Sequence, residues 1–579
     1  MMKGNYGEPE CRQNKTPARR GRTVLTALCV LGLCGSLLFG CTSAGAAGAG
    51  RTRGGTQELP GGMKEITVAV HSETGGLDPA GSIALTYLTY AADALDELLT
   101  FDEEGEIEYR AAESYEVNAD DTVWTFHLRE DARWSDGSPV TAEDYLNTIR
   151  RALDPASGSG YAVYLFPIRN AERIYNGEAD LDSLGVQAPD DDTLVFILEE
   201  PCVYFLDLLR LPVYMPSSAK YADSADSGWD RDPQRSLSNG PFCLAEYVPD
   251  QYFVLERNEY YWNADAVSLD RITYRFYDDT QSMAYAYEAG EVDAASSLPS
   301  TIMELYEGRE DLIVTEQIAS RYIYFNLDVE PFDDVRVREA FNLAIDREDL
   351  CRIVGEDTVP SYHLVSAFLK DKSTGEYFVD EGIQPFEENV ERARELLAEA
   401  GYPDGEGFPE VTYRYPSLEA DADTAEVIQE QLKQNLGIEL RLEAQELQAN
   451  YSARHAGDFD LCRMNWTADF ADPYTYLSLL LSDSTYNCSG IKDPEYDALV
   501  EQSDSETDPA RRSVLLHEAE QRATGDAFYI IPLYSTRGVN LVRPDVSGIR
   551  QIPASGALEY RYADRKGEAR ESEGEGEGR

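Results

Sequence analysis

Five histidines, His71, His127, His363, His455 and His517, are the side chains best placed to move protons or hold metals near neutral pH. They are scattered, without the short spacings that bring two imidazoles to one ion. The chain has no H-E-x-x-H, no G-x-S-x-G and no G-x-x-x-x-G-K-[ST]. Those absences argue against a zinc hydrolase, an elbow serine and a phosphate-loop nucleotidase. With 107 Asp+Glu, adjacent pairs such as Asp120-Asp121 and Asp333-Asp334 arise from composition, and they read as solvated surface. Cys202, Cys243, Cys351, Cys462 and Cys488 are never spaced as C-x-x-C, so they form no zinc ribbon or redox motif. They read as scattered buried thiols, with one bridge left open. The residue inventory therefore offers no catalytic or metal-holding motif, and no enzyme activity, cofactor or metal is expected.

The elements that would position a binding site need a large body. The chain has 579 residues, 42% hydrophobic and 11% aromatic, enough for two to four domains with substantial cores. Tyrosine outnumbers phenylalanine 37 to 19, which suits wet clefts as well as cores. Fifty Lys+Arg against 107 Asp+Glu give a formal charge of −57. Such a surface repels phosphate backbones and anionic headgroups, which excludes a general nucleic-acid or membrane-surface binder.

The start of the chain gives a compartment. Lys3, Arg12, Lys15, Arg19, Arg20 and Arg22 precede an uncharged apolar run over 24–39. Its 16 residues are short for a membrane-spanning helix, which needs about 20, and they fit the core of a secretory signal. The run ends Leu38-Phe39-Gly40-Cys41, which resembles the lipobox of bacterial lipoproteins. The expectation is a signal peptide over 1–40, lipid on Cys41 and a flexible tether over 41–61. The product would be extracytoplasmic and anchored to the cell membrane by that lipid alone. A Glu-Gly tail over 566–579 is expected to be disordered.

Between these ends, alternation at Ile66, Val68 and Val70, at Trp124, Phe126 and Leu128, and at Leu194, Phe196 and Leu198 predicts strands. Helices are predicted over 86–99 and 141–153, the second opened by Thr141 with Asp144 as a capping box. Further on, Ala393, Leu396, Leu397 and Ala400 form one helical stripe and Ala425, Ile428, Leu432 and Leu436 another. Strands at 411–415 and 438–442 alternate with them, so an α/β fold with a mixed or parallel sheet is expected.

The stretch Trp124-Thr125-Phe126-His127-Leu128 followed by Arg133-Trp134-Ser135-Asp136-Gly137-Ser138-Pro139-Val140-Thr141-Ala142-Glu143-Asp144 is the most informative. It closely resembles the signature of the oligopeptide- and dipeptide-binding proteins of ABC importers, family 5 of the extracellular solute-binding proteins. Gly160-Tyr161-Ala162-Val163-Tyr164-Leu165, Ser238-Asn239-Gly240-Pro241-Phe242, Arg257-Asn258 through Trp262-Asn263, and Phe332-Asp333-Asp334-Val335-Arg336-Val337-Arg338 continue the likeness in the family's order. Trp134 reads as a core anchor and Asp136-Gly137 as a turn, so the signature identifies the fold more than the site.

The resemblance implies a two-lobed periplasmic-binding-protein fold with a large accessory domain, closing about a hinge. By matching, lobe I covers 62–95, 220–320 and 537–565, the accessory domain 96–219 and lobe II 321–536. A receptor for mixed peptides must hold what all peptides share, namely backbone N–H and C=O groups and a terminal ammonium. Arg463-Met464-Asn465-Trp466-Thr467-Ala468-Asp469-Phe470 resembles the family's R-x-G-W-x-A-D-Y segment. The resemblance then implies that Asp469 takes the ligand's α-amino group, with help from the Tyr161 hydroxyl. Asn465, Trp466 and Thr467 would pair with the peptide backbone, Leu85 would contribute a backbone contact, and Arg463 would reach a short ligand's carboxylate. The family's second basic residue falls at 419–421, where this chain is acidic. The implied function is a monomeric receptor that captures oligopeptides and passes them to an ABC permease and its ATPases. A nickel chelate, haem, oligosaccharide or opine as ligand, or a peptide-signal sensor, remain the alternatives.

Overall fold

A computed structural model describes residues 63–566, apart from 72–75, 82–84, 103–104, 158, 223–227, 383 and 553–557. The expected signal, Cys41 and the tether lie outside the described residues. So does the tail except Lys566, whose N–H donates to the Asp545 carbonyl at 2.9 Å. Among the described residues no helix is long and apolar enough to cross a membrane.

One sheet of eleven strands runs through the body. Its order is Arg441–Gln445, Thr412–Pro416, Leu461–Thr467, Leu312–Phe325, Ile530–Val542, Ala294–Ala295, Glu65–His71, Arg271–Tyr277, Tyr252–Arg257 and Phe242–Val248. Thr358–Pro360 adds to Ile530–Val542 off this path. Parallel pairs (Glu65–His71 on Arg271–Tyr277, Thr412–Pro416 on both neighbours) mix with antiparallel ones, so the sheet is mixed, as the α/β reading expected. The two central strands, Leu312–Phe325 and Ile530–Val542, are the longest and join the halves. They pair over 312–316 with 537–541 and over 320–324 with 530–535, and the register breaks between Glu316 and Ser320.

Alternation along these strands feeds opposite cores. Ile323 and Phe325 enter one core with Phe341, Leu397, Ile428 and Leu432. Tyr322 and Tyr324 enter another with Met464, Tyr476, Tyr496 and Leu516. The predicted helical stripes are the buried faces of Val390–Glu399 and Glu419–Leu436. A separate antiparallel sheet of four strands, Ala112–Val117, Val123–Leu128, Thr193–Ile197 and Val186–Gln187, shares a single core with the half of the large sheet that contains Phe253 and Tyr274.

The family signature is built into this core. Trp134 is 1% exposed, and its Nε1 donates to Asp144 Oδ2 at 3.1 Å. The same oxygen accepts from Thr141 N at 2.9 Å, which closes the capping box of Ala142–Ala152. At Gly240, an added Cβ would lie 2.8 Å from the Ala94 carbonyl carbon, so only glycine permits that approach. The helix expected over 86–99 stops early, as Leu85–Ala94. Arg561 takes the carbonyls of Ala92 and Leu95, and Asn239 bonds both the N–H and the C=O of Asp96. Tertiary capture of these backbone groups ends the helix and lets Leu99–Phe101 form a strand.

Candidate functional site

The strand Leu461–Thr467 leaves one of its edges open. It pairs antiparallel with Leu312–Phe325 along its whole length, but with Thr412–Pro416 only at Leu461 and Cys462. Ala468 donates to the Ile318 carbonyl at 2.8 Å and Asn326 to the Asp460 carbonyl at 3.0 Å, so even-numbered positions bond to the crossover strand. By alternation, the N–H and C=O groups of Asn465 and Thr467 turn to the other side, where no described strand meets them. These are unpaired backbone groups of the kind an extended chain completes.

Asp469 stands two residues beyond the end of this strand, half-buried. Among the described residues no cation lies within ion-pair distance of it. Its partners are phenols: the Tyr164 hydroxyl donates to Oδ2, and Tyr161 faces the same carboxylate. Tyr161 precedes the one-turn 3₁₀ segment Ala162–Leu165 and Tyr164 lies within it, and the three-residue repeat places them on one side, rings 5.7 Å apart. Burial pushes the Asp469 carboxyl up to about 6, against the opposing pull of the two hydroxyls. Burial and the neighbouring carboxylate hold both phenols above their ordinary range, so they remain donors. An uncompensated, half-desolvated negative charge with two fixed donors is suited to one more partner, a cation that brings its own hydrogens.

Trp466 is half-buried, edge-on to Tyr486 at 5.0 Å, and its Nε1 lies 3.4 Å from Thr475 Oγ1. Asn465 is exposed and Thr467 half-buried. Phe470 turns away into the other core and stacks on Tyr204 at 4.8 Å. Tyr204 in turn donates to Asp504 Oδ1 at 2.6 Å, and Lys372 pairs with Asp207. Tyr161, Tyr164 and Tyr204 thus meet the chain at 466–504 from one side.

The structure brings Asp469, Tyr161, Trp466, Asn465 and Thr467 to one place. Leu85 opens the helix Leu85–Ala94, and its side chain lies outside the described residues. Arg463 departs from the expectation that it reaches a ligand carboxylate. It is 1% exposed, with Nε 3.0 Å from Asp421 Oδ1, one Nη 2.9 Å from the Tyr534 hydroxyl, and its other Nη on the carbonyls of Tyr322 and Met464. The acidic residue that replaces the family's second base has become its internal partner. Tyr164 and Tyr486 were not singled out from the sequence. Tyr164 could have been, since it lies three residues from Tyr161 in a short turn. Tyr486 lies in an irregular polar loop with no periodic signal. All five described cysteines are free, which closes the bridge left open above.

A signature strand, a free edge and a lone carboxylate agree with the family match. The model of the bacterial extracellular solute-binding proteins, family 5, matches residues 106–488. The chain belongs to this family. Its members are solute receptors of transport systems and not enzymes. The family 5 chain is 33% identical over 503 residues to the probable deoxycholate-binding periplasmic protein YgiS of Escherichia coli, covering 85% of this chain and 91% of that one. It is 32% identical to the periplasmic oligopeptide-binding protein OppA of the same organism, covering 82% and 88%. Among solved structures, Haemophilus influenzae OppA in complex with RPPGFSPFR superposes with a TM-score of 0.72 at 28% identity, over 87% of this chain and 99% of that one. The expected two-lobed α/β fold is therefore shown.

Proposed function

We propose that this family 5 receptor binds oligopeptides outside the cytoplasm and delivers them to the permease of an ABC importer. The observation that carries this reading is the juxtaposition of the open edge at 465–467 with the Asp469 carboxylate. A peptide lying on that edge as an added strand would place its α-ammonium on Asp469, beside the hydroxyls of Tyr161 and Tyr164. Thr467 and Asn465 would supply the backbone bonds, Trp466 a wall, and Leu85 a contact from the other lobe. Recognition of shared backbone groups permits broad side-chain tolerance, with water filling mismatched space. Affinity near micromolar, about −8 kcal/mol, would combine capture with release.

The lobes proposed are 62–95 with 220–320 and 537–565, and 321–536, with 96–219 as the accessory domain. The register break between Glu316 and Ser320 supports a hinge near these boundaries. Lipid on Cys41 would hold a monomer at the membrane. Deoxycholate, named for one relative, is an anion without an amine and would leave Asp469 facing no cation, as would a sugar. Native mass spectrometry of protein purified from cells tests the reading. Co-purifying masses that fragment as short peptides support it, and a bile acid, metal chelate or saccharide in their place would refute it.

A further inference from the structure

In a chain with 107 acidic residues, an arginine lacking an acidic partner stands out. Arg321 lies opposite Asn465 in the register of the crossover strand, on the same face and beside the open edge. It is half-buried. Among the described residues its guanidinium makes one hydrogen bond, from Nη1 to the Ser320 carbonyl at 3.4 Å, and no carboxylate lies within 4.0 Å of it. Arg463, two residues along the partner strand, is in the opposite condition, closed in by Asp421 at 3.0 Å. Asp421 is ion-paired to Arg463, and Asp357, whose carboxyl feels the Arg321 charge, forms no ion pair with it. Arg537, by contrast, has Glu316 directly opposite it in the strand register, so of these arginines Arg321 is the one without a carboxylate beside it. Burial, then repulsion from Arg463, lowers the Arg321 proton affinity. An anion would relieve both.

We infer that Arg321, and not Arg463, receives a carboxylate of the bound ligand. The inference rests on the peptide reading and narrows it. With its ammonium on Asp469, an antiparallel peptide runs back along the edge toward Asn465. Four residues of extended chain span roughly 13 Å at ~3.3 Å each, so the carboxylate of a peptide of about four residues comes level with Arg321. The carboxylate is either the C-terminal group or an acidic side chain near that end.

Calorimetry with a panel of tri- to pentapeptides, as free acids and as C-terminal amides, and with Glu or Gln at the last position, separates these cases. The wild type is expected to lose tenfold or more in affinity on amidation. Arg321→Gln should lose as much for the free acid and become indifferent to amidation, and Arg321→Lys should recover part. In Arg321→Gln, binding should still fall on N-acetylation, which shows the fold and the ammonium site intact. If the variant instead loses only its Glu-over-Gln preference, the side chain is the source of the carboxylate. Arg537, 5.4 Å over the Phe368 ring, is the control cation. Full amide and Glu/Gln discrimination in Arg321→Gln overturns the inference, as does its loss in Arg537→Gln instead. A wild type that prefers free N-termini but ignores both carboxylates overturns this inference alone. A wild type that binds no peptide overturns the peptide reading as well.

Discussion

Asp469 is held in a state the free protein disfavours. Its folded carboxyl titrates near 6 because burial opposes the charge, whereas an unfolded Asp titrates near 3.9. The folded state therefore binds the proton more tightly, and the cost of ionisation is fully present above pH 6 and vanishes below about 4. Asp469→Asn keeps an acceptor for Tyr164 and removes that cost. It should stabilise the ligand-free protein at pH 8 by about 1–2 kcal/mol once solvent access is discounted, raising its melting temperature, and should raise it much less at pH 4.5. Thermal scans at both values check this, and an equal shift at both would contradict it. Asp469 and Tyr161 were legible because a motif surrounds them. The neutralisation of Arg463 was not, because Asp421 lies 42 residues away and only folding shows that it points inward.

The strand Leu461–Thr467 does most of the positioning, and its open edge was invisible in the sequence. Periodicity finds strands but says nothing about which of their edges are paired. The elements with long runs and caps, such as Ala142–Ala152 and Val390–Glu399, follow the pattern closely. The strand expected over 438–442 lies at Arg441–Gln445 instead, because Ile438 and Leu440 are spent on core packing at the turn behind Gly437. Thr467→Pro tests the edge directly. The N–H it removes faces away from the crossover strand, so pairing there survives, and proline is tolerated on an edge. Peptide affinity should fall about tenfold, the loss of roughly one well-made hydrogen bond, with the melting temperature lowered by only a few degrees. Unchanged affinity in calorimetry would show that the peptide does not lie on this edge.

Across the whole molecule, the family motifs that made recognition possible turn out to hold the fold. Arg338, which closes one of those motifs, and Arg347, nine residues beyond it, are each nearly inaccessible and bind the carbonyls of Ala527, Phe528 and Phe332, and of Pro532, Asn342 and Ile345, respectively. They brace the helices Val335–Leu343 and Arg347–Val354 against the second crossover strand and its approach. Burial raises Asp93 and Glu520 each to about 7, so with Asp469 they are carboxyls expected to take up protons between pH 8 and 5 in the folded chain. Each is bound more tightly folded than unfolded, so stability should rise as pH falls from 8 to 5.5, and relief of repulsion in a chain of −57 acts in the same direction. A melting temperature that instead falls over this range would show that other groups govern stability.

The proposed contact between Asp469 and an amino terminus is most directly tested by the affinity of one peptide before and after N-acetylation, measured by calorimetry on the wild type and on Asp469→Ala. Acetylation should weaken binding to the wild type a hundredfold or more, about 3 kcal/mol, and should make little further difference to Asp469→Ala, which already binds poorly. Equal affinity of the wild type for the free and acetylated peptides would contradict it.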